Sequence, residues 1–104
     1  MQILKVETSI GGEIEADRLM KLILDQRLAA CIQRETIKSS YRWQGAAVCE
    51  AEVRMSCKTT MSARGELVRF LETNHPYEVP EILVQVVDVS DAYGAWVQGE
   101  VLDA

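Results

Sequence analysis

One stretch concentrates the chain's chemistry: Thr73-Asn74-His75-Pro76-Tyr77-Glu78-Val79-Pro80-Glu81-Ile82 carries the single histidine, both prolines, a tyrosine and two acids. Imidazole can act as a general base, a proton switch or a metal ligand, and Glu78 or Glu81 could orient it or share a cation with it. The two prolines hold His75 and Val79 out of helical geometry, so a stiff connector presents these side chains. The same residues also describe a rigid turn with a bystander histidine.

Three cysteines, Cys31, Cys49 and Cys57, are the other candidates. A thiolate is a soft ligand suited to monovalent copper, but free cysteine packs well as a small core hydrophobe, and that is the expectation for all three. Their odd number, wide spacing and lack of a C-x-x-C pair disfavour a disulfide framework or a zinc knuckle. No four histidine and cysteine ligands lie close in sequence, so any metal site must be assembled by the fold or between subunits. Glu52 and Lys58 fall on the polar parity of one strand, three alternate positions apart, too far to pair with each other. Gly11-Gly12 lacks the spacing of a phosphate loop, and a lone histidine leaves little for triad chemistry.

The elements that must position these groups follow from periodicity. Residues 2–8 alternate as a first strand, and apolar residues at helical spacing from Ile14 to Leu28 predict an amphipathic helix. A second strand runs from Leu28 to about Trp43, and Gln44-Gly45 offers a turn. In the next strand Ala47, Cys49, Ala51, Val53, Met55 and Cys57 share one parity while Glu50, Glu52, Arg54, Ser56 and Lys58 share the other, which predicts a long antiparallel hairpin. Thr59 and Thr60 can cap a helix from Met61 to about Thr73. Ile82 to Val89 reads as a central strand buried on both faces. Asp91 to Gly99 predicts a short helix, with Val101-Leu102 as a brief edge strand. The order strand, helix, strand, strand, helix, strand is the ferredoxin-like α+β pattern, one domain over 1–104. The sheet face away from the two helices then needs a cover, and self-association supplies it.

A formal net charge of −5 and a pI near 4.8 leave no basic stripe for nucleic acid. No stretch approaches the roughly 20 apolar residues of a membrane span, and Lys5 and Glu7 break any signal-like run, so a cytoplasmic protein is expected.

Four segments in order resemble the CutA family of divalent-cation tolerance proteins: Leu28-Ala29-Ala30-Cys31-Ile32, Tyr41-Arg42-Trp43-Gln44-Gly45, Glu52 through to Lys58-Thr59, and His75 to Ile82. The resemblance implies a homotrimer joined through long hairpins, similar in architecture to the PII signalling proteins. It implies a non-enzymatic role in tolerance to copper or another divalent cation, with no organic cofactor. Cys31, His75 and Glu78 are the implied metal ligands, and Tyr41, Trp43, Glu52, Lys58 and Tyr77 the implied lining of an inter-subunit cleft. The first strand ends in Glu7-Thr8-Ser9, without the cysteine that some relatives carry there. Two further functions compete: a PII-like sensor binding a small anionic metabolite through Lys58 and an arginine, and, ranked last, an enzyme using His75 as base.

Overall fold

The computed structural model describes residues 1–102. Its elements run β1 (Gln2–Ile10), α1 (Glu13–Asp25), β2 (Cys31–Trp43), β3 (Ala46–Thr59), α2 (Arg64–Asn74), β4 (Leu83–Asp88) and α3 (Asp91–Glu100). The strands form one antiparallel sheet in the order β2-β3-β1-β4, the ferredoxin-like arrangement with the first strand in the middle.

Strand parity divides the sheet into two faces. Leu4, Val6 and Ile10 of β1 and Val53, Met55 and Cys57 of β3 bury against Ala16, Leu19 and Ile23 of α1 and Leu67, Phe70 and Leu71 of α2. The opposite parity gives an outer face whose rows are polar: Ser56 donates to Glu7 at 2.6 Å, Arg54 to Glu35 at 2.8 Å, and Lys58 to Gln33. One end of this outer face is closed by α3, where Ile3 packs with Val97 and Val101. The other end carries the proline segment.

Two local conformations set the long hairpin and the α3 closure. Gln44 (φ 50°) and Gly45 (φ 83°) both take positive φ in a two-residue loop between the paired residues Trp43 and Ala46, the backbone that suits the twist of a tight hairpin. Arg27 also has φ 56°, and it ends α1 three residues earlier than the apolar periodicity predicts. The unfavourable backbone is offset by its contacts. The Arg27 guanidinium donates to the Gly99 and Glu100 carbonyls at 3.0 and 2.9 Å, and its own carbonyl accepts from Leu102 N–H at 2.8 Å. Those bonds satisfy carbonyls at the C-terminal end of α3, where a cation is also electrostatically favoured. Val101 and Leu102 therefore cap and tether a helix rather than forming the expected edge strand.

A second expectation is corrected at β4. The run from Ile82 is not a central strand; β4 pairs only with β1 and is an edge, with Leu83 and Val86 about half exposed. The opposite edge is β2. Among the described residues no helix is long and apolar enough to cross a membrane.

Candidate functional site

The proline segment folds back over the outer face, and its anchor is His75. α2 ends where the residue before Pro76 must turn extended: His75 has φ −71° and ψ 136°, and its N–H still bonds the Leu71 carbonyl. The imidazole then points inward. Nδ1 accepts from the Tyr77 N–H at 3.1 Å, which makes Nε2 the protonated nitrogen, and Nε2 donates to the Ser9 carbonyl at the end of β1 at 2.9 Å. Burial is the main cause of an imidazole pKa below its usual range, which favours this neutral tautomer. The Tyr77 ring lies tilted against it at 4.8 Å between centroids, and the Tyr77 hydroxyl donates to Glu52 at 2.7 Å. A continuous chain, Ser9 to His75 to Tyr77 to Glu52, ties the strap to β1 and β3.

Under the strap is an open hollow of about 650 Å³. Its floor comes from the outer-face parity of the hairpin: Ser39, Tyr41 and Trp43 of β2 and Glu50 and Glu52 of β3; its roof is Tyr77 to Glu81. Glu52 is a nearly buried carboxylate, and Glu50 holds the Tyr41 hydroxyl. Each tyrosine pKa is raised. For Tyr41 the cause is chiefly the bond to Glu50, which pushes it up to about 12; for Tyr77 it is burial first and then Glu52.

The hollow of one chain brings together Tyr41, Trp43, Glu52 and Tyr77 of the implied cleft lining and Glu78 of the implied metal set. Lys58 is not among them. It pairs with Cys31 at the far end of the hairpin, six residues along β3 from Glu52 and so roughly 20 Å away. Cys31 shares that distance from the hollow, and its neighbour is Tyr93 of α3. Within one chain, then, Cys31 does not meet His75 and Glu78, and both imidazole nitrogens are already engaged. Among the described residues no three histidine, cysteine or acidic side chains gather as a metal-binding group, so the donors of one chain do not make a chelate.

The three cysteines also differ from a uniform core reading. Cys57 is buried, and desolvation pushes its thiol up to about 12, which makes it inert. Cys49 has the inward parity but is exposed, because it lies where the hairpin projects beyond the helices. Two residues of the hollow carried no distinct weight in the sequence. Glu50 was findable, two positions from Glu52 on the same polar parity, whereas Ser9 is brought in by a strand pairing that no local pattern reveals.

Comparison with known proteins agrees with the arrangement of elements. The family profile described as CutA1 divalent ion tolerance protein matches residues 4–100. The chain is 38% identical over 86 residues to the divalent-cation tolerance protein CutA of Escherichia coli, covering 81% of this chain and 77% of that one. The Pectobacterium atrosepticum protein of the same description is 37% identical over 83 residues, with 78% and 76% covered. Among solved structures, CutA of Synechococcus elongatus superposes with a TM-score of 0.92 at 36% identity, covering 97% of this chain and 91% of that one. The divalent cation tolerance protein of Thermus thermophilus gives 0.88 at 31%, covering 97% and 99%. Near-complete coverage by profile and fold, with sequence identity of 38% over four fifths of its length, makes this chain a member of the CutA1 divalent ion tolerance protein family.

Proposed function

We propose that the protein acts, without catalysis, as a trimeric divalent-cation tolerance factor whose cation-responsive surface is the hollow beneath the Tyr77 to Glu81 strap. One observation carries the reading: Glu50, Glu52, Glu78 and Glu81 all line that hollow, and no lysine or arginine does. Carboxylates hold divalent cations, and their concentration here favours cations of either charge type over anions. The anionic-metabolite reading lacks its cation, since Lys58 is at the other end of β3.

Glu78 faces the hollow and is the ligand to test first. His75 serves as the pin that sets Tyr77 and Glu52; ligation by it requires giving up the Tyr77 N–H or the Ser9 carbonyl. Cys31 joins such a site only when a second copy delivers it. The open β4 edge, with Leu83 and Val86, and the projecting hairpin, with Tyr41 and Trp43, are the surfaces that a second and third copy would cover.

Calorimetric titration with copper(II) and zinc(II) tests the assignment. Glu78→Gln is expected to weaken binding about tenfold, the loss of one charged ligand. Unchanged binding in both Glu78→Gln and His75→Ala ends the placement of the site at the strap.

A further inference from the structure

The arm of the β2–β3 hairpin has two faces of opposite charge. On the parity that elsewhere packs under the helices, Arg34 is still held by Asp17 and Glu13 of α1. Further out no helix covers that parity. Lys38, Ser40 and Arg42 of β2 lie there opposite Ala51, Cys49 and Ala47 of β3, and all six are exposed. The three β3 side chains are too short to hold another surface away, so the lysine and the arginine stand out of a flat strip. Neither cation has an ion-pair partner among the described residues.

The other face of the same arm is the floor of the hollow, where Glu50 and Glu52 lie below Glu78 and Glu81 of the strap. Among the described residues these four carboxylates also lack ion-pair partners. The tyrosine hydroxyls on Glu50 and Glu52 are neutral donors that leave the negative charge uncompensated. Successive residues of a strand point to opposite faces, so Lys38 and Arg42 cannot turn into the hollow of their own chain. A second copy can bring the two patterns together. Because one chain holds both halves of the match, each copy gives a strip and receives one, the head-to-tail kind of contact that closes into a ring when the rotation allows.

We infer, resting on the trimeric part of the proposed function and not on its metal, that the hollow is completed by the next copy of the chain: the strip of one protomer seats on its neighbour's hollow, with Lys38 and Arg42 among the carboxylates. Two cations against four carboxylates leave the filled hollow negative, so a divalent cation retains ligands there.

The test is subunit exchange in the full 104-residue chain, stripped of metal with EDTA and followed by native mass spectrometry after isotopically light and heavy protein are mixed. Lys38→Glu/Arg42→Glu and Glu50→Lys/Glu81→Lys change only exposed positions, and each is expected to keep the wild-type circular dichroism. Each sets like charges against one another across the contact, so each is expected to exchange at least about tenfold faster or to dissociate. The chain carrying all four substitutions restores opposite charges with the roles reversed, and its exchange is expected to return to within about threefold of the wild type. A monomeric wild type ends the trimeric reading and this inference with it. A wild-type trimer whose exchange neither reversal moves, or a four-substitution chain that exchanges as fast as the reversals, overturns this inference alone.

Discussion

Thr8 has a hydroxyl that is fully buried on the helix-facing side of β1 and has no partner among the described residues. Replacing it with the isosteric valine removes an unsatisfied polar group without opening a cavity. Thr8→Val is therefore expected to stabilise the fold by about 1–2 kcal/mol, read from the denaturant midpoint. His75 makes the opposite case, because both its ring nitrogens are used. Its folded pKa lies below 6.5, so the unfolded chain binds the extra proton first. The stabilising contribution is complete above pH 6.5 and is lost as pH falls from there through the depressed folded value. Protonation at Nδ1 would also turn the acceptor of the Tyr77 N–H into a donor. Denaturation curves between pH 8 and 5 should show the wild type losing stability relative to His75→Asn across that window; parallel pH profiles would show that His75 does not pin the strap. These roles were only partly legible in the sequence. The prolines announced a stiff presenter and the lone histidine a special position, but the carbonyl that anchors its Nε2–H lies 66 residues away.

At the scale of elements, β3 shows why some of the fold could be read directly. Its strict alternation survives from Val53 to Thr59 as buried and polar faces, and the Gln44-Gly45 turn lies where its residue types demand. Only position along the hairpin was hidden: Cys49 keeps the inward parity, yet no helix reaches that far to cover it. β4 departs from the expected central strand because an apolar run looks the same whether a strand is covered on two faces or lies at an open edge. Arg27 was silent in the sequence, being one of several arginines on a helical pattern, and its role appears only when α3 docks. Arg27→Ala should cost about 1–3 kcal/mol by removing two bonds from a charged donor, with amide exchange accelerating selectively in α3. Uniform acceleration across the sheet would mean that α3 does not open separately.

For the whole molecule, extents of 45 × 24 × 21 Å describe a body with an arm, the arm being the end of the β2–β3 hairpin. An isolated chain leaves both sheet edges open and exposes Leu83 and Val86 on one of them. A lysine at Val86 should be tolerated by the single chain, since that residue is already half exposed, but should block assembly through this edge. Sedimentation is accordingly expected to show the proposed trimer for the wild type and smaller species for Val86→Lys, with the circular dichroism of the wild type retained. An unaltered trimer would place the contact elsewhere.

The position of β1 in the middle of the sheet has a consequence for synthesis. β2 and β3 are adjacent in sequence and can zip together as soon as both have emerged from the ribosome. β1 emerges before either, but it needs β3 on one side and β4, more than seventy residues later, on the other. Its Ile3, Leu4, Val6 and Ile10 thus wait unpaired while the rest of the chain is made, the interval in which an apolar strand is most open to wrong partners. The strand made first is the last to be enclosed.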